Sequence, residues 1–165
     1  MLDAPADITP AKMRNYAMGL LTGRDYSRAE LATKLSKRFD QHSAIDEVLQ
    51  RLADEGLQSD ARFAEAFLRS RILRGHGLTR IRQDIRQKGI ADELVGQTLE
   101  EADVDWMTLA REVAQRKFGR RQAADQRETA KRMRFLQYRG FSYDQIKYAL
   151  AGCLDESADE ADFFD

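Results

Sequence analysis

Residues 60–102 read DARFAEAFLRSRILRGHGLTRIRQDIRQKGIADELVGQTLEEA. Apolar side chains recur every three to four positions: Phe63, Ala64 and Phe67, then Leu78, Ile81 and Ile85, then Val95 and Leu99. That is the period of a helix with one buried face, and period-two alternation is absent. Gly75 and Gly89 fall just after the apolar runs, where a helix wants a left-handed terminating residue. The stretch predicts three short helices over 60–74, 79–88 and 92–102.

The same phrase occurs twice more. Leu35, Ile85 and Leu136 recur at intervals of 50 and 51, as do Ile45, Val95 and Ile146, and Leu49, Leu99 and Leu150. The turns Arg38-Phe39, Gly89-Ile90 and Gly140-Phe141 fall in phase, although Arg132 stands where Leu31 and Ile81 stand. Punctuation agrees. Thr9-Pro10 fits an N-cap followed by proline, and Ser27-Arg28-Ala29-Glu30 and Ser142-Tyr143-Asp144-Gln145 fit capping boxes. Gly23, Gly56, Gly75, Gly89, Gly119 and Gly140 fit helix stops. Six further helices follow, over 10–22, 27–38, 43–55, 105–118, 124–139 and 142–153. The fold class is therefore all-α: three tandem three-helix repeats stacked into an elongated, curved arc. The expected boundaries are an N-terminal extension 1–11, repeats at 12–57, 58–103 and 104–154, and an acidic disordered tail 155–165. Modules of this size are marginal alone and must stabilise one another.

Composition narrows the function classes. The 165 residues carry 27 Lys+Arg against 28 Asp+Glu, one cysteine (Cys153) and two histidines (His42, His76). One thiol cannot make a disulfide framework or a thiolate zinc site, and no phosphate loop or nucleophile–base pair appears. No enzymatic activity, cofactor or metal is expected. No apolar run is long enough to span a bilayer, and the N-terminus is acidic and polar. A cytoplasmic monomer is the expectation.

Near-neutrality hides segregation. Residues 62–90 hold eight Arg/Lys against two acids, and residues 91–105 hold six acids and no base. Residues 111–139 hold ten Arg/Lys against three acids, and six acids and no base follow Leu154. Arginine dominates both basic blocks, which suits bidentate contact with carboxylate or phosphate. Arg71 and Arg74 continue the face of Phe63 and Phe67, and either pack a neighbouring helix end or project into a groove. Arg82 and Arg86 share a flank, with Arg80 on the other side; the alternative is pairing with the acids of 91–105. His76, between two glycines, is expected to be an exposed loop residue. Cys153 is expected to be buried and inert.

Tyr26-Ser27-Arg28-Ala29-Glu30-Leu31 with Lys34-Leu35 resembles the first-repeat signature of the bacterial RecX regulatory proteins. Arg62-Phe63-Ala64-Glu65-Ala66-Phe67, Arg69-Ser70-Arg71, Arg74-Gly75, Gly77, Arg80-Ile81-Arg82 and Lys88-Gly89-Ile90 resemble its middle repeat. Arg134-Phe135-Leu136, Arg139-Gly140-Phe141-Ser142-Tyr143-Asp144 and Ile146 resemble its third, so the likeness covers residues 12–154. The resemblance implies a negative regulator of RecA, in DNA repair, homologous recombination and the SOS response. Such a protein binds in the groove of the RecA–DNA filament and inhibits ATP hydrolysis, strand exchange and filament growth. Some members also bind DNA directly, so single- and double-stranded DNA join RecA as expected partners. The expected contact residues are Arg69, Arg71, Arg74, Arg80, Arg82, Arg86, Lys88, Lys131, Arg132, Arg134 and Arg139. The alternative is a trihelical-repeat protein that binds nucleic acid without RecA, with strongly salt-dependent affinity.

Overall fold

The computed structural model describes residues 8–151, and every regular element among them is helical. Eight helices are α1 (Pro10–Gly23), α2 (Arg28–Arg38), α3 (Ile45–Asp54), α4 (Asp60–Leu73), α5 (Leu78–Gln87), α6 (Asp92–Ala102), α7 (Trp106–Phe118) and α8 (Gln126–Tyr138). A ninth, α9, covers 143–151. The acidic segment 155–165 and Cys153 lie outside the described residues.

The starts are set by side chains that accept otherwise orphaned N–H groups. Thr9 accepts from the Lys12 N–H at 3.2 Å, Asp105 from Thr108 at 3.1 Å and Asp125 from Glu128 at 2.9 Å. Both capping boxes form. Ser27 Oγ accepts from the Glu30 N–H while Glu30 accepts from the Ser27 N–H, and Ser142 and Gln145 do the same. Five of the six proposed stop glycines have positive φ. Gly23 does not: it is the last residue of α1, and Arg24 beyond it is extended. In the turn from α2 to α3, where the later repeats have Gly89 and Gly140, Asp40 and Gln41 take φ 53° and 55°.

The described residues fall into two compact units, divided after Phe67, Asp84 and Glu100. In the first, Met13, Ala17, Leu31, Leu35, Val48, Leu49 and Leu52 are buried together, with Tyr16 edge-on to Phe39. In the second, Leu109, Val113, Ala114, Leu136, Phe141, Ile146 and Ala149 form the core, and Ile72, Trp106, Phe118 and Phe135 pack on it. Each fully buried leucine or isoleucine contributes about 1.5–3 kcal/mol and each cap about 1 kcal/mol. Packing therefore supplies the stability, while caps fix where each helix begins.

One docking contact appears in both units. The N-cap residue of a repeat's second helix donates to the carbonyl that precedes the next repeat's turn glycine. Ser27 Oγ donates to the Lys88 carbonyl at 2.7 Å, and the Gly77 N–H donates to the Arg139 carbonyl at 2.7 Å. Backbones approach so closely there that a Cβ on Gly89 would lie 2.4 Å from Ala29 Cβ. A Cβ on Gly77 would lie 2.5 Å from the Gly140 carbonyl, and one on Gly140 would lie 2.4 Å from Arg80 Cβ. Gly77→Ala should therefore cost about 1–3 kcal/mol, because the obstacle is backbone that cannot swing aside. Gly96, inside α6, has nothing within 4 Å of an added Cβ, so Gly96→Ala should gain about 0.5–1 kcal/mol. Urea unfolding midpoints of the two variants check both signs.

Candidate functional site

The second unit gathers most of the expected contact residues around the turn from α4 to α5. The α4 end is fixed by Arg139, whose Nη1 donates to the Arg74 carbonyl at 2.6 Å and whose guanidinium lies 4.9 Å from the Phe135 ring centroid. The α5 start is held by the Gly77 and Thr79 N–H groups, which donate to the carbonyls of Arg139 and Gly140. One short stretch at the end of α8 thus secures both sides of the turn.

His76 lies between these supports, and it is buried, 6% exposed. The expectation of an exposed loop histidine is corrected: Gly75 and Gly77 carry the chain inward against α7 and the α8–α9 turn. Its Nδ1 is buried without a hydrogen-bond partner among the described residues. Burial pushes its pKa down, repulsion from Arg80, Arg71 and Arg139 pushes it further, and Asp84 offsets only part, leaving it at about 4 against an ordinary 6.5. His76 is therefore neutral at physiological pH.

The expected contact residues separate into structural and free cations. Arg132 belongs to the first group and is corrected from contact residue to core residue, being 3% exposed. It pairs with Glu128 at 2.8 Å, donates to the Arg121 carbonyl at 2.8 Å and lies 5.1 Å from the Phe118 ring centroid. Its position in the repeat is that of Leu31 and Ile81, and the guanidinium stem fills the same apolar slot. Arg71 and Arg80 are half-buried and each lies 3.9 Å from Asp84; Arg80 also lies 5.0 Å from the Tyr138 ring centroid. In the first unit, Arg86 Nε donates to Asp92 at 2.8 Å, so the alternative pairing with the acidic segment does occur. Lys88 lies 3.4 Å from Glu30, which also pairs with Arg24 at 3.3 Å. Burial pushes the Glu30 carboxyl up, but Arg24, the Ser27 N–H and Lys88 outweigh it and hold it below the usual carboxylate range.

The free set is Arg69, Arg74, Arg82, Lys131 and Arg134, all exposed and all in the second unit. Among the described residues none of them has a carboxylate partner. Arg116 and Lys117 belong to the second basic block, whose cations the sequence offers for single-stranded nucleic acid, but they stand outside the expected contact set. They line an open pocket of about 190 Å³ together with Arg74, Arg139, Val113 and Phe135. The signal was the apolar stripe Leu109-Val113 with two cations following it, but their meeting with Arg74 depends on tertiary packing.

Among the described residues no cluster of His, Cys, Asp and Glu could hold a metal ion, and no helix is long and apolar enough to cross a membrane. Three-helix modules in tandem, with exposed arginines and lysines that have no carboxylate partner among the described residues, define a helical-repeat protein with a cationic face. Family comparison narrows the class. The first, second and third three-helix domains of RecX match residues 14–52, 59–99 and 103–150. The chain is 45% identical over 150 residues to the regulatory protein RecX of Halorhodospira halophila, covering 91% of this chain and 90% of that one. It is 46% identical over 141 residues to that of Chromohalobacter salexigens, covering 86% and 92%. The crystal structure of RecX from Lactobacillus salivarius superposes with a TM-score of 0.72 at 24% identity, covering 87% of this chain and 96% of that one. The chain belongs to the RecX family of regulatory proteins.

The His76 environment gives a pH dependence with a definite sign. Its folded pKa lies below its unfolded one, so between the two values the unfolded chain binds more protons. The stability held above about pH 6.5 is lost as pH falls toward about 4. Urea midpoints should drop more between about pH 7 and about pH 4.5 in the parent chain than in a His76→Gln variant. Equal drops would show that His76 does not titrate in this window.

Proposed function

We propose that this chain is a negative regulator of RecA, a cytoplasmic monomer that binds in the groove of the RecA–DNA filament. There it inhibits ATP hydrolysis, strand exchange and filament growth. The observation that carries this reading is the free set Arg69, Arg74, Arg82, Lys131 and Arg134, in a chain of the RecX family. A filament groove offers carboxylates and phosphates, and unpaired guanidinium groups grip both in bidentate fashion. The filament also repeats its surface, so tandem modules can engage successive protomers. The proposed contact set retains Arg71, Arg80, Arg86, Lys88 and Arg139 as flanking residues whose own ion pairs or carbonyl contacts limit their share. It omits Arg132.

Tyr138 favours a second reading. It is 76% exposed beside Arg80, a combination that suits a base stacked on the ring and a phosphate on the guanidinium. On that reading the chain binds nucleic acid without RecA.

Single-strand-dependent ATP hydrolysis by RecA, measured as the chain is titrated in, separates the two. Inhibition well below one copy per RecA, without tight binding to bare strands at the same salt, is expected. The triple variant Arg69→Ala, Arg82→Ala, Arg134→Ala should keep its helicity and need at least about tenfold more protein for the same inhibition, since even one lost charged contact is worth about 1.5 kcal/mol. No inhibition, with salt-sensitive binding to DNA alone, would leave the second reading standing.

A further inference from the structure

The pocket between α7 and the end of α8 has a composition that asks for a particular occupant. Arg74, Arg116, Lys117 and Arg139 surround it, and Val113 and Phe135 supply an apolar wall, in about 190 Å³. Among the described residues none of the four cations has a carboxylate partner. Lys117 Nζ lies 5.4 Å from the Phe135 ring centroid and Arg139 lies 4.9 Å from it, so the charges sit on an aromatic wall. Four like charges around one hollow repel one another, and an anion placed there relieves all four. Val113 is already buried, so the apolar surface left open is the face of Phe135, which a bare phosphate would leave uncovered. The matching ligand carries carboxylates and an aromatic ring together.

This chain contains such a segment. Residues 155–165 carry six acids and no base and end Asp162-Phe163-Phe164-Asp165. We propose that this segment is the pocket's occupant: one phenyl ring packs on Phe135 while Asp162 and Asp165 meet the surrounding cations. The volume is adequate, since a cavity of about 150 Å³ takes up benzene. The reach is adequate too. Arg111 of α7 donates to the Tyr148 carbonyl of α9 at 3.3 Å, so the end of α9 lies beside the first half of α7. From Arg111 to Lys117 is about 9 Å along the helix, whereas the twelve residues from 151 to Phe163 extend to about 40 Å. Tethering makes the encounter intramolecular, at an effective concentration on the order of millimolar. The docked segment screens Arg74, Arg116 and Lys117 from any other anion, so the acidic segment competes with outside partners for this surface.

The test uses the full chain and needs no partner. A nitroxide is attached through Ala161→Cys in a Cys153→Ser background, and broadening of backbone amide signals is read by NMR. The expected result is loss of the Val113, Lys117 and Phe135 signals at low salt. They should return at high salt, and also in the variant Asp162→Asn, Phe163→Ser, Phe164→Ser, Asp165→Asn. Undisturbed pocket signals would overturn the proposal. So would broadening spread over all the exposed basic helices, loss that persists when both phenylalanines are replaced, or broadening that arises only between labelled and unlabelled copies.

Discussion

At the start of a repeat's second helix a donor reaches the carbonyl before the next repeat's turn glycine, and in the second unit this contact positions Arg139 and, through it, the end of α4 at Arg74. The Gly77 N–H donates to the Arg139 carbonyl as Ser27 Oγ donates to the Lys88 carbonyl. Such a bond nets only about 1 kcal/mol, but leaving its buried groups unpaired costs about 1–3 kcal/mol. Its larger effect is geometric. Once the Arg139 backbone is pinned at the start of α5, its side chain falls on the Arg74 carbonyl and on Phe135, and Gly140 seats against Arg80. Close approach of the two backbones leaves no room for a Cβ at Gly77 or Gly140, so the turn chemistry and the charge placement are one constraint.

That constraint sorts a basic surface into two kinds of cation. Arg132, Arg139, Arg71 and Arg80 hold the fold, through Glu128, the Arg74 carbonyl and Asp84. Arg69, Arg74, Arg82, Lys131 and Arg134 have no carboxylate to answer to among the described residues. A formal charge of −1 thus coexists with 16 Arg/Lys against 8 Asp/Glu over residues 68–84 and 101–151 of the second unit. Exposed ion pairs contribute little to stability, so leaving these side chains unpaired costs the fold almost nothing while keeping them available.

The features legible in the sequence are those set by local rules. Helix spacing, capping boxes and the columns Leu35/Ile85/Leu136 and Ile45/Val95/Ile146 depend on neighbours within a few residues or on repetition, and the helices form where those rules put them. What the sequence hid depends on distant chain. Burial of His76 requires α7 and the Arg139-Gly140 turn, more than thirty residues away in sequence at the nearest. Arg132 was visible as a break in an apolar column, yet its partners, Glu128 and the Arg121 carbonyl, were needed to show that it fills the column instead of leaving it. Lys117 and Arg74 meet only through tertiary packing, so no linear motif marks their pocket.

Amide hydrogen exchange at Gly77 and Thr79 tests the central contact most directly. Both N–H groups lie at the start of α5, where an ordinary helix would leave them to solvent. Because they donate to the Arg139 and Gly140 carbonyls, they should exchange as slowly as Ile81 in the same helix. Rapid exchange at Gly77 and Thr79, with Ile81 still protected, would contradict the account, since it would mean that α5 stands without the contact that positions Arg139.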